Sequence, residues 1–266
     1  MLVDLHLHSN FSFDSDEEAE KYIVGAVKAG ASVLGFSEHY DYDAVLDGAD
    51  IAVADIPKYV ASLEKLKERY GGQEILCGIE FGYRAEAAEH YRQLISKYNF
   101  DYIINSLHTL PERGDCYSNA FFARKPLKDS YFDYFKGVLE SVRADFDYQI
   151  IGHVGYVSRY RTGEGSRILY GDFSDILDEI LLEIIRRDKC LEINTSTGLS
   201  NSKFLPDCDI LDRYLQLGGE KLSFGSDAHS ADKYLRKYKD VEDYLKSAGV
   251  KYLFYYKNRK PVAYKI

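Results

Sequence analysis

Short apolar runs alternate along this chain with longer stretches in which apolar residues recur every three or four positions. The runs read as strands buried on both faces, and the periodic stretches as amphipathic helices laid over them. Strands are expected at 2–8, 32–36, 75–80, 102–107, 148–152, 190–194 and 222–225. Helices are expected at 16–30, 57–70, 85–98, 129–144, 172–187, 207–217 and 240–248. In the first helix acidic residues fill the first turn, Tyr22, Ile23, Ala26 and Val27 form the stripe, and Gly30 stops it. Pro57 opens the second, with Tyr59, Val60, Leu63 and Leu66 as its buried side. Two segments break the rhythm: an aspartate-rich stretch at 40–55 and a long aromatic loop at 109–127, and loops of that length commonly carry function. Residues 252–256 and 262–264 are expected to pair across a turn at 257–261.

Strand and helix alternate as in parallel βα units. A closed barrel is expected rather than a doubly wound open sheet. No glycine-rich nucleotide loop follows the first strand, and the chemically useful residues leave many strand ends instead of one switch point. The chain has 266 residues, close to the roughly 250 that one such barrel takes, so residues 1–266 are read as one domain. Hydrophobic residues, at 45%, suffice for a substantial core. A net charge of −9 argues against sequence-independent nucleic-acid binding, which rests on basic surface. A metal-dependent enzyme tolerates that imbalance, because divalent cations supply local positive charge. No apolar run approaches the roughly 18 residues of a membrane span, and no basic-then-apolar leader opens the chain. Cys77, Cys116, Cys190 and Cys208 form no C-x-x-C pair. Cys77 and Cys190 fall inside apolar strands as buried free thiols, and a reducing, cytoplasmic setting is expected.

Asp4, His6 and His8 alternate with Leu5 and Leu7, so an extended strand places them on one face. Two imidazoles side by side at a strand end make half of a metal site. Of the seven histidines, His6, His8, His39, His108, His153 and His229 lie at or just beyond the C-terminal end of an expected strand. In a parallel barrel those ends meet on one face. His90 is the exception and is expected as an exposed helix histidine. Glu80 ends the third strand, and Asp227 follows the seventh. Imidazole with carboxylate suits Zn, Fe, Mn or Co. These donors exceed what one ion takes, since a catalytic zinc usually keeps about three protein ligands. Two or three divalent ions are therefore expected, with Glu80 as the bridge between neighbours.

The ordered motifs D-L-H-L-H (4–8), S-E-H (37–39), G-I-E-F-G (78–82), S-L-H (106–108), G-H (152–153) and G-S-D-A-H (225–229) together resemble the polymerase-and-histidinol-phosphatase (PHP) superfamily. Chain length, the G-H-V-x-x-V-x-R run at 152–159 and E-I-N-T-S at 192–196 resemble its histidinol-phosphatase branch. The resemblance runs from residue 2 to about 230. It implies a distorted (β/α)7 barrel with up to three metal ions (Zn, Mn or Fe) at the C-terminal ends of the strands. His6, His8, Glu80 and Asp227 resemble the ligands of one ion, and Glu80, His108 and His153 those of a second. His39 and His229 resemble ligands of a third, completed from the loop after strand one, where Asp14 matches best and Asp16 stands behind it.

The implied activity is a metal-dependent phosphomonoesterase, a histidinol-phosphatase of histidine biosynthesis that converts L-histidinol phosphate and water to L-histidinol and phosphate. Hydroxide held between two dications would attack phosphorus in line. Glu80, Asp227 and His229 are expected to carry the catalysis. Phosphate recognition favours the arginine fork. Arg159 matches the family position and Arg161 lies beside it, while Asn194, Thr195 and Ser196 end strand six and offer further contacts. Asp4 is expected to brace the histidines. One departure stands out. In that branch Gly-Leu-Arg commonly follows Asn-Thr-Ser, whereas Thr197 is inserted here and no arginine follows, so Lys203 is expected to substitute. Two other readings remain. One is a phosphodiesterase, nuclease-type or other small-molecule hydrolase of the same superfamily, which the acidity opposes where nucleic acid is concerned. The other is a non-catalytic metal-binding barrel, which the complete donor set opposes. The expected partner is a small phosphorylated substrate, with no nucleic acid and no membrane. The chain is unusual in carrying 24 tyrosines with one methionine and no tryptophan.

Overall fold

The computed structural model describes residues 1–42, 52–111 and 113–266. Most of the aspartate-rich stretch expected at 40–55 lies, at 43–51, outside the described residues, as does Glu112 of the 109–127 loop. The chain begins with β1 (Val3–Asp4), α1 (Ala19–Ala29), β2 (Val33–Tyr40), α2 (Ile56–Arg69), β3 (Glu74–Gly82), α3 (Ala88–Lys97) and β4 (Tyr102–Ser106). A small hairpin, β5 (Thr109–Leu110) with β6 (Gly114–Asp115), and the short α4 (Asn119–Phe122) precede α5 (Leu127–Val142) and β7 (Ile150–Ile151). Then come α6 (Ser174–Arg186), β8 (Cys190–Asn194), α7 (Cys208–Gln216), β9 (Leu222–Gly225) and α8 (Tyr238–Ser247). A terminal hairpin pairs β10 (Tyr252–Lys257) with β11 (Lys260–Lys265).

Seven strands run parallel in the order β1-β2-β3-β4-β7-β8-β9. The two edges of this sheet approach each other. Leu5 N–H donates to Phe224 O at 3.3 Å, His8 N–H donates to Ala228 O at 2.9 Å, and Leu7 bridges Ala228. The result is a nearly closed (β/α)7 barrel ringed by helices, as the alternating pattern leads one to expect. Helix stripes such as Tyr22, Ile23 and Ala26 of α1, or Ile176, Leu177, Ile180 and Leu181 of α6, are buried against it. No helix among the described residues is long and apolar enough to cross a membrane.

Tyrosines fill what the sheet leaves open. Tyr102 reaches across the interior, its hydroxyl 2.6 Å from Leu5 O and 3.1 Å from Phe36 O. A Cβ on Gly35 or Gly78 would overlap its ring, so these glycines make room for it. From the surrounding helices, the Tyr59 hydroxyl meets Gly78 O at 2.8 Å and that of Tyr22 meets Ala228 O at 2.8 Å. Buried carbonyls that regular pairing misses are thereby satisfied. The terminal hairpin covers the N-terminal end of the barrel: Asn258 N–H donates to Asp101 Oδ1 at 3.1 Å and Tyr255 OH to Glu74 Oε2 at 3.2 Å. The opposite end, where the strands finish, stays available for the site.

Several sequence expectations change. The ladder of β1 covers only Val3–Asp4, because beyond it the backbone bonds irregularly, with Leu7 O accepting from Ser37 N–H at 2.9 Å. β2 runs on through Tyr40, so Ser37, Glu38 and His39 lie within the strand. The segment 109–127 is not one loop, since it contains β5, β6 and α4.

Candidate metal centre and active site

Glu80 is the hub. The β2–β3 register sets His39 directly opposite it. Its Oε2 lies 2.9 Å from His39 Nδ1, 3.2 Å from His6 Nε2 and 3.6 Å from His8 Nε2. Its Oε1 lies 3.0 Å from His153 Nε2 and 3.3 Å from His108 Nε2, and accepts from Ser106 Oγ at 2.6 Å. Asp227 closes the far side, with Oδ1 3.3 Å from His8 Nε2 and 3.8 Å from His6 Nε2. At the outer wall Asp14 Oδ2 lies 3.0 Å from His229 Nε2 and 3.5 Å from His39 Nε2. Every histidine expected at a strand end is therefore in one cluster.

The chemistry of this cluster suits divalent ions. His6 Nε2, His8 Nε2, His39 Nδ1 and Glu80 Oε2 are buried and make no hydrogen bond, although they face one another at short range. Donors aimed at a common point behave in this way. Donor atoms of His6, His8 and Glu80 lie within 4.8 Å of one another, as do those of His39, Glu80 and His108. The same holds for His6, His153 and Asp227, and for His8, His39 and His229. The histidines thus interleave around Glu80 rather than separating into three isolated sets.

Residues that the strand-end reasoning passed over orient the imidazoles. Glu192 Oε1 lies 2.5 Å from His6 Nδ1, and Asp41 Oδ1 lies 2.7 Å from His108 Nδ1. The Ser12 hydroxyl donates to Glu38 Oε2 at 2.6 Å and so accepts from His8 Nδ1 at 3.1 Å. Each contact engages Nδ1 and leaves Nε2 facing inward, the orientation a metal ligand needs. A signal existed for two of these acids. Glu192 shares strand parity with Asn194, and Asp41 with His39. Gly225 belongs to the same device, since a Cβ there would overlap Glu192 Oε1.

Burial alone would raise Glu80, but His6, His108 and His39 hold it well below the usual carboxylate range. Burial would likewise raise Asp227, and Arg159 and His6 hold it down. Against the pull of burial, Glu192, Glu80 and Asp227 raise His6, while Asp41 and Glu80 bring His108 up to about 10. Burial, His39 and His229 lower His8. The pocket is thus rich in negative charge, and it is matched to cations.

A cavity of about 350 Å³ opens above the cluster, lined by Asp14, Arg159, Ser196, Asp227 and His229 together with Phe13, Asp115, Tyr117, Tyr156, Tyr160, Lys233 and Arg236. Arg159 is buried and its Nη2 pairs with Asp227 Oδ2. Asn194 Nδ2 donates to the same oxygen at 3.3 Å. Two expected contacts fall elsewhere. Arg161 turns to Asn119 Oδ1 at 2.9 Å and stacks on Phe122, away from the cavity. Lys203 is exposed, with its ammonium over Phe204. Asp4 meets no imidazole and braces the cluster through the backbone instead, accepting from the amides of His6 at 3.3 Å, Ser226 at 3.0 Å and Leu235 at 3.2 Å. Asp16 makes none of the contacts that Asp14 makes. His90, expected to be exposed, is half-buried, stacked on Tyr42 and bonded to the Tyr40 hydroxyl at 2.8 Å.

Fold and donor set define a class, a parallel barrel with a cluster suited to divalent ions at its strand ends. Comparison with known proteins places the chain more closely. The PHP domain profile matches residues 4–196. A Clostridium acetobutylicum protein named “Probable histidinol-phosphatase” is 31% identical over 257 residues, covering 97% of this chain and 98% of that one. The histidinol-phosphatase of Lactococcus lactis subsp. lactis is 27% identical over 93% of this chain and 91% of its own. A crystal structure of histidinol phosphate phosphatase from Lactococcus lactis subsp. lactis, complexed with zinc, L-histidinol and phosphate, superposes with a TM-score of 0.87 at 27% identity, covering 98% of both chains. The chain belongs to the PHP domain family.

Proposed function

We propose that this protein is a metal-dependent phosphomonoesterase that hydrolyses L-histidinol phosphate to L-histidinol and phosphate. The observation that carries the reading is the convergence of buried, unbonded imidazole and carboxylate atoms on Glu80, at the base of a cavity that also holds Arg159. Full-length likeness to histidinol-phosphatases supports the substrate. Residues 1–266 act as one domain in this reading, and the unpaired thiols of Cys77, Cys116, Cys190 and Cys208 fit a cytoplasmic setting.

His6, His8, Glu80 and Asp227 would hold one divalent ion, Glu80, His108 and His153 a second, and His39, His229 and Asp14 a third. Such ions, as zinc, manganese or iron, supply Lewis acidity toward phosphoryl oxygens and acidify water. The protein's own part is orientation and charge. Glu192, Asp41 and Ser12 hold the Nδ1 atoms of His6, His108 and His8 outward. Asp227 aligns Arg159, whose other N–H groups are left to meet phosphate oxygens. Burial of Glu80, His6 and His8 keeps bulk water from the base of the site.

Phosphate release from L-histidinol phosphate by the zinc- or manganese-loaded protein tests this directly. Turnover well above that of a generic aryl monoester is expected. Activity on other monoesters alone would keep the reaction class and discard the substrate. Faster cleavage of bis(p-nitrophenyl) phosphate would overturn the class as well.

A further inference from the structure

The loop leaving β9 carries two basic side chains with no part in the chemistry so far. Lys233 and Arg236 both line the cavity, and neither side chain makes a hydrogen bond or an ion pair among the described residues. Other cations nearby are engaged: Arg159 with Asp227, Arg161 with Asn119, and Lys203 outside the cavity over Phe204.

The backbone around Arg236 is held in an unusual shape. Leu235 and Lys237, on either side, have φ of 55° and 57°, a region that residues other than glycine seldom occupy. Two partners fix it. Leu235 N–H donates to the fully buried Asp4 carboxylate at 3.2 Å, and Arg236 O accepts from Thr195 Oγ1 at 2.9 Å. Thr195 precedes Ser196, which lines the same cavity. Strained backbone tied down by buried partners is a recurrent way to fix a functional side chain.

We propose that Arg236, with Lys233 beside it, forms a second anion subsite that binds phosphoryl oxygens which Arg159 leaves unmet. Arg159 has part of its fork committed to Asp227, and a phosphate dianion offers more acceptor oxygens than the remainder satisfies. The cation expected from Lys203, after β8, is thus supplied from the loop after β9. This rests on the phosphomonoesterase reading above.

The test uses the zinc-loaded full chain and its R236A, R236K and K203A variants. In R236A, the KM for L-histidinol phosphate and the Ki for inorganic phosphate both rise, by about tenfold or more, while kcat moves much less. R236K recovers part of the loss. K203A, which removes an equal charge outside the cavity, stays near wild type. Bound zinc and the thermal midpoint, measured on every variant, separate a lost subsite from a damaged fold. An R236A protein with intact zinc content and an unchanged phosphate Ki overturns the subsite. If the wild type hydrolyses no monoester, the functional reading fails by itself. Calorimetric titration with inorganic phosphate then still decides the subsite, since equal affinity in wild type and R236A refutes it.

Discussion

Asp227 leaves β9 with φ 52°, and its two oxygens serve different partners. Oδ1 faces His6 and His8, and Oδ2 faces Arg159 and Asn194. Arg159→Ala would therefore do two things, removing the proposed phosphate contact and taking the guanidinium partner from a buried carboxylate. Steady-state kinetics should show KM raised about tenfold or more, for a loss of ~1.5–3 kcal/mol of charge-assisted bonding, with kcat falling too. Arg159→Lys should not rescue it, because an ammonium has no fork. An unaltered KM would assign the phosphate contact to other residues. Glu192 acts one step back. Glu192→Gln should weaken metal binding by about 10–100-fold, read by competition with a chelator, and unchanged affinity would reduce Glu192 to a brace for the His153 amide, which it also accepts at 2.7 Å. At this scale the cluster was legible because strand parity and strand ends are written in the chain: His6, His8, Glu80 and Asp227 could be found by counting. The directions of Arg161 and Lys203 could not, since Asn119, Phe122 and Phe204 capture them through contacts that no local pattern encodes.

Elements whose pattern is self-contained have the bounds that the pattern implies. β8 and β9 are compact apolar runs, each bounded by a helix end before it and polar residues after it, and they occupy the expected 190–194 and 222–225. β1 and β7 are shorter than their apolar runs imply, because their pairing depends on where neighbouring strands diverge, which no local pattern encodes. The tyrosines belong to this scale. A residue with an apolar body and one polar tip can fill the space between diverging strands and still satisfy a carbonyl. Tyr102 does so inside the barrel, and Gly78 beside it is the price of its ring. Gly78→Ala should therefore destabilise by about 1–3 kcal/mol through overpacking, lowering Tm by roughly 2–4 °C per kcal/mol. In a Tyr102→Ala background the added methyl has space, so the cost of Gly78→Ala should shrink. Equal costs in both backgrounds, measured by urea denaturation, would show that the tyrosine ring is not what constrains this glycine.

At the scale of the whole molecule, stability and charge come from different ends of the barrel. The core lies between strands and helices, and the terminal hairpin closes the N-terminal end through Asp101 and Glu74. The strand C-termini instead gather Asp14, Glu38, Asp41, Glu80, Glu192 and Asp227 around the imidazoles, with Arg159 as the paired guanidinium. A net charge of −9 adds no relief from elsewhere. Divalent ions that bind only the folded cluster should stabilise the protein by RT ln(1 + [ion]/Kd), or about 4 kcal/mol at a thousandfold excess over Kd. Removing them should not dissolve the fold, because the apolar core and the hairpin are built without them. Chelation should therefore abolish phosphate release and lower Tm by several degrees while the far-ultraviolet circular dichroism of the barrel persists at 25 °C. Adding back zinc or manganese should restore both. In Glu80→Ala, which takes out the carboxylate shared by two of the four donor groups and by the first two proposed ions, the shift in Tm between chelated and zinc-loaded protein should shrink markedly. A Tm indifferent to chelator and zinc in the wild type would mean that the cluster holds no ion, and the hydrolytic reading would fall with it.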